Sequence, residues 1–116
     1  MLDTEVLKEH LEYRFTHLYV SGMLRSVATT LIDKGYEVDL EEPELDDLTT
    51  TLKVYLTGTS HIRLMVFHYV STNQVDLMGA HYTQDGRKYI LDKSNIDVND
   101  IYSIIMTGLS EVIPCQ

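Results

Sequence analysis

Residues His61 to Val70 read HIRLMVFHYV, a strict alternation that is apolar on both sides. Successive side chains of an extended chain point to opposite faces, so Ile62, Leu64, Val66, His68 and Val70 share one side. His61, Arg63, Met65, Phe67 and Tyr69 share the other. The flanking Gly58 and Ser71-Thr72-Asn73 punctuate the run and make it a strand. An antiparallel strand with one wetted face places polar residues there. Here neither face is polar, so the fold turns on what covers the second one.

Working outward, further strands are predicted at about 48–57, 75–83 and 87–92. Their turns lie at Gly58, at residues 71–74, and at Asp85-Gly86, a pair that accepts the positive φ of a tight hairpin. Upstream, Tyr36, Val38 and Leu40 alternate with Glu37, Asp39 and Glu41. Three acids on one side suit a short edge strand, ended by Pro43. Close spacing makes an antiparallel meander of four to five strands the natural topology.

Helical periodicity brackets this sheet. Asp3 or Thr4 can cap a first helix, in which Leu7, Leu11, Phe15 and Leu18 recur at helical spacing. Leu24, Val27, Ala28, Leu31 and Ile32 continue it, and Lys34-Gly35 read as its C-terminal cap. Gly22 costs about 1 kcal/mol inside a helix, so 4–34 is expected as one bent helix or two. At the other end Asp97 caps a helix carrying Val98, Ile101, Ile105, Leu109 and Val112, which Pro114 stops. Gly108 inside it marks a weak point or a close contact. The expectation is one α+β domain over 1–116: an N-terminal helix, an antiparallel sheet, and a C-terminal helix packed on it.

A turn through 71–74 sets Val66 opposite Gly79 and His68 opposite Leu77. The aliphatic face then gathers Leu52, Val54, Leu56, Ile62, Leu64, Val66, Val75 and Leu77, which amphipathic helices can cover. The opposite face collects Tyr55, Arg63, Met65, Phe67, Tyr69, Met78 and Tyr82, with Tyr89 at its margin. Met, Tyr and Arg are enriched at protein interfaces. Either helices split across both faces and make this side core, or it stays open for a partner or a second copy of the chain, or it lines a small-molecule pocket.

Charge supplies the other clue. The net charge is −9, and of 18 acids seven lie between Glu37 and Asp47 (Glu37, Asp39, Glu41, Glu42, Glu44, Asp46, Asp47) without a base among them. The other 11 acids nearly balance the 9 bases. This speaks against direct binding of nucleic acid or of an anionic membrane, both of which need clustered Lys and Arg. The segment reads as a solvated loop or as a docking surface for a basic partner, its charges spaced like those of nucleic acid.

Chemistry-bearing motifs are scarce. The N-terminus has no apolar stretch of the signal-peptide kind, and no run approaches the roughly 20 residues that span a bilayer. Cys115, the one cysteine, allows no intrachain disulfide and has no basic neighbour to activate it. The expected compartment is cytoplasmic. The five histidines do not converge for metal: His10 and His17 lie two helical turns apart, His61 and His68 have opposite parity, and His68 and His81 are offset along their strands. The glycines of GTSHIR and MGAHYTQDGRK belong to hairpins rather than phosphate loops, and no elbow motif singles out a serine.

The expectation is therefore a non-enzymatic, cofactor-free protein-binding domain, homodimeric, that occupies a basic nucleic-acid-handling protein. Small acidic inhibitors from phages and mobile elements offer an analogy of size and charge. The acidic residues, or the sheet-face residues Arg63, Met65, Phe67, Tyr69, Met78 and Tyr82, would carry that contact. A chaperone or adaptor using the apolar sheet face, and a ligand-binding or hydrolytic α+β enzyme, are the alternatives.

Overall fold

The computed structural model describes residues 4–41, 49–69 and 72–113, with the side chains of residues 5–7 and 9–10 excepted. The expected roles of Asp3, Leu7, His10, Glu42, Pro43, Glu44, Asp46, Asp47, Val70, Pro114 and Cys115 lie outside this description.

The order is α1 (Thr4–Asp33), β1 (Glu37–Glu41), β2 (Thr49–Tyr55), β3 (His61–His68), β4 (Val75–Thr83), β5 (Gly86–Lys93), a single 3-10 turn (Val98–Asp100) and α2 (Ile101–Leu109). The sheet is an antiparallel meander with strand order β1-β2-β3-β4-β5. The α+β reading holds, with five strands.

The helix α1 runs unbroken through Ser21-Gly22. Burial of Val20, Leu24, Val27 and Leu31 on both sides of the glycine outweighs its intrinsic penalty of about 1 kcal/mol. The helix ends where expected. Gly35 takes φ +94°, the Tyr36 amide donates to Leu31 O at 3.0 Å, and the Gly35 amide donates to Ile32 O at 2.9 Å. Those two bonds satisfy two of the last orphan carbonyls. The helix α2 is shorter than its periodicity suggests: the Asp97 carboxylate accepts from the Asn99 amide and caps the 3-10 turn, and α2 stops at Leu109.

Both helices pack on the same side of the sheet. Val20, Leu24, Val27, Leu31, Ile101, Ile105, Leu109 and Ile113 join Leu52, Val54, Ile62, Leu64, Val66, Val75, Leu77 and Leu91 in one buried core. Each such large side chain contributes roughly 1.5–3 kcal/mol on burial. Gly108 is indeed a close contact: a Cβ there would lie 2.6 Å from Leu91 Cδ2, so its absence lets α2 settle on β5.

The β3–β4 register differs from expectation by two residues. Val66 pairs with Leu77, His68 with Val75 and Leu64 with Gly79. The ladder extends further toward the connection than a turn over 71–74 allows: the Tyr69 amide donates to Gln74 O at 2.9 Å, and Asn73 closes the loop at φ +55°. A shift of two preserves parity, so no side chain changes face. Both sheet edges are blunted against further pairing. β1 has only five residues, and β5 carries Lys88, Lys93 and an irregularity opposite Gly79/Ala80.

Candidate functional site: the open face of the sheet

Among the described residues no element covers the second face of the sheet. Arg63, Met65, Phe67, Met78 and Tyr82 are half-buried, and Tyr69 is exposed. All six residues of the expected contact surface share this side.

Strand register brings the acids of β1 onto it as well. Glu37 pairs with Tyr55, Asp39 with Lys53 and Glu41 with Thr51, so three described members of the acidic segment border the Tyr/Met surface. Sequence reading treats these as two separate candidates; the β1–β2 pairing makes them one. Reading across the strands, one row runs Glu37, Tyr55, His61, Tyr82, Arg87. The next runs Asp39, Lys53, Arg63, Ala80, Tyr89, and a third Glu41, Thr51, Met65, Met78, Asp92. Phe67 and Asp76 continue beyond the third row.

The first row is a band of flat side chains. His61 stacks on Tyr82 with ring centroids 4.8 Å apart and planes 6° from parallel, and Tyr55 tilts against His61 at 6.3 Å. The Arg87 guanidinium sits 4.9 Å from the Tyr89 ring centroid, a cation–π contact at the β5 margin. In the second row two cations lie side by side, since Lys53 pairs with Arg63. Lys53 reaches Glu41 only at 4.0 Å. Arg63 has no acid partner among the described residues, and its buried Nε makes no hydrogen bond. Like charges opposed across strands are destabilising, and an unpaired buried donor more so. The face is therefore bipolar: an anionic edge, a cationic centre and a Met/Phe/Tyr remainder.

At the end of this face Asp76 Oδ1 accepts from Gln74 Nε2 at 2.9 Å and from the Asn95 amide at 2.8 Å. The Gln74 bond, then the Asn95 amide, hold its carboxyl below the usual range, with the Tyr69 hydroxyl adding to them.

Two polar clusters lie off this face. Ser60 Oγ and His81 Nε2 are 2.7 Å apart, the distance of a nucleophile–base pair. No carboxylate among the described residues orients the other nitrogen of His81, which such chemistry needs. The second cluster escaped sequence reading. His68 is buried at the end of the core face, under Tyr13 (ring centroids 4.1 Å) and near His17 (6.2 Å). His68 Nε2 lies 2.6 Å from Asn73 Oδ1, Asn73 Nδ2 donates to Thr16 Oγ1 at 3.1 Å, and Thr16 Oγ1 donates to Glu12 O at 3.0 Å. That chain fixes the tautomer: Nε2 carries the proton, and Nδ1 is buried without a partner among the described residues. Burial pushes the His68 pKa down and His17 adds to this, against the Asn73 bond. Burial also raises the Tyr13 phenol. The one signal for this cluster was the i, i+4 spacing of Tyr13 and His17 on α1.

Among the described residues no group of three His, Cys, Asp or Glu could hold a metal ion, and no helix is long and apolar enough to cross a membrane. No known family model matches the chain, and no curated protein or solved structure matches it.

Proposed function

We propose that this chain is a non-enzymatic protein-binding domain whose docking surface is the open face of its sheet. One observation carries the reading: the Tyr/Met surface, Arg63 with its buried and unbonded Nε, and the acids Glu37, Asp39 and Glu41 lie side by side on a face that no described element covers. Met and Tyr supply adaptable apolar contact. Arg63 supplies a fork of donors that meets no acid among the described residues, suited to a carboxylate or a run of carbonyls. The partner is a protein surface with an apolar centre, an acceptor for Arg63 and basic groups for the β1 edge.

An acidic inhibitor of a nucleic-acid-handling protein is a second, narrower reading. It is favoured by the exposed Glu37, Asp39 and Glu41, which recur about every 6.8 Å along the strand, near the rise of two nucleotides. Lys53 and Arg63 one and two strands away interrupt that anionic pattern, so the mixed-face reading is preferred.

The test is capture on immobilised protein from the native host, comparing wild type with Met65→Glu/Phe67→Glu and with Glu37→Gln/Asp39→Asn/Glu41→Gln. A partner retained by the wild type and lost by the first variant, with the melting curve preserved, supports the mixed face. Loss by the second variant together with steep weakening in salt supports the inhibitor reading. Equal capture by all three forms overturns both.

A further inference from the structure

The side of α1 turned away from the sheet carries a second apolar surface, independent of the face just described. Val20, Leu24, Val27 and Leu31 are buried, whereas Leu11, Phe15 and Leu18 are 44%, 70% and 59% exposed. Their spacing of four and three residues makes them one stripe. The stripe continues at the same spacing through Gly22, Ser26 and Thr29, all small. Ser26 Oγ donates to Gly22 O at 3.0 Å and Thr29 Oγ1 to Arg25 O at 2.9 Å. Both hydroxyl protons are thus satisfied within the helix, and an apolar group can cover them without orphaning a donor.

Run in reverse, this stripe is its own complement. Backward from Leu18 the large groups fall at intervals of three and four; forward from Gly22 the small ones fall at four and three. An antiparallel second copy, centred beside Val20 and Ser21, sets Leu18 on the partner's Gly22, Phe15 on the partner's Ser26 and Leu11 on the partner's Thr29. A parallel copy sets large on large and holds the small half apart. Antiparallel pairing also opposes the two helix dipoles favourably. Charge leaves the choice to side-chain size, because the same register brings Lys8 to the partner's Asp33 and Arg14 near the partner's Arg25.

Area sets the extent of contact. With Lys8 opposite the partner's Asp33, about 26 residues of each α1 overlap, about 39 Å by about 11 Å, roughly 430 Å² per copy and about 860 Å² across both. That is the size of a weak, transient contact, while pairing through the Leu11–Leu18 half alone falls well short of it. We propose that the chain forms a weak homodimer through antiparallel pairing of α1, large half over small half.

Sedimentation equilibrium of the intact chain, from micromolar to submillimolar concentration, tests this. The expected result is a monomer–dimer equilibrium that Phe15→Glu and Gly22→Leu each weaken by about tenfold or more, and that Met65→Glu on the sheet face leaves unchanged. A Cβ at position 22 meets nothing within 4 Å in the monomer, so Gly22→Leu keeps its helical circular dichroism, and exposed Phe15→Glu provides the second reading. A monomer at every concentration overturns the proposal. So does a dimer that persists in Gly22→Leu, or one abolished by Met65→Glu but not by Phe15→Glu.

Discussion

The phenol ring of Tyr13 lies on the imidazole of His68, centroids 4.1 Å apart and planes 13° from parallel. This stack ties the N-terminal half of α1 to the far end of β3, and burial there favours the uncharged imidazole. Protonated Nδ1 would be a buried donor with no acceptor among the described residues. Because burial lowers the folded-state pKa of His68, the unfolded chain takes up the proton first, at about pH 6.5. Stability is therefore full above that value and falls as the pH drops from it toward the folded pKa. Denaturant midpoints measured between pH 8 and pH 5 should decline below about pH 6.5 in the wild type and stay flatter in His68→Phe, which keeps the stack without the titrating group. Parallel curves would show that His68 does not control the acid response.

Asn73 holds the same junction from the other side. Its Oδ1 accepts from His68 Nε2 and its Nδ2 donates to Thr16, while its backbone sits at φ +55°. Asn73→Gly removes the side chain and keeps that conformation accessible. It leaves a buried imidazole donor unpaired, a penalty of about 1–3 kcal/mol. The loss should be local: amide exchange should quicken at α1 residues before Val20 and at β3–β4, with the α2 amides less affected. Uniform acceleration throughout the chain would mean that the junction opens only on global unfolding.

The parity of β3 was legible in the sequence because a period of two is a local property. It correctly assigned Leu64 and Val66 to the core and Met65 and Phe67 to the other face. The β3–β4 register was not, because it depends on how Asn73 closes the connection, and Asn73 in the left-handed region is a property of the loop as a whole. The union of Glu37, Asp39 and Glu41 with Arg63 and Met65 was hidden for a related reason, since it needs the β1–β2 pairing. On α1, Leu11, Phe15 and Leu18 carry the same periodic signal as Leu24, Val27 and Leu31. Periodicity finds an apolar stripe but does not say what covers it.

The contrast between the two faces of β3 can be measured directly. Leu64 is fully buried against the helices, so Leu64→Ala should destabilise by about 2–5 kcal/mol. Phe67, half-buried among its sheet neighbours, leaves no enclosed void when truncated, and Phe67→Ala should cost about 1 kcal/mol. Denaturant titrations with unchanged slope would establish both values. A Phe67→Ala loss matching that of Leu64→Ala would mean that the Tyr/Met face is covered.

Gly108 and Leu91 are coupled by shape alone. A Cβ at position 108 would lie 2.6 Å from Leu91 Cγ and Cδ2 and 2.9 Å from Cδ1, so Gly108→Ala must displace a buried leucine, at about 1–3 kcal/mol. Alanine also favours the helix by about 1 kcal/mol over glycine, and the single substitution shows only the difference between these effects. In a Leu91→Ala background the obstacle is gone and the helical gain stands alone. Gly108→Ala should therefore be neutral to destabilising in the wild type, yet stabilising by up to about 1 kcal/mol beside Ala at position 91. A double-mutant cycle by denaturant unfolding should give a coupling of about 1–3 kcal/mol. A coupling near zero would mean that α2 does not sit on β5 through this contact, and that the glycine serves some other need of the helix.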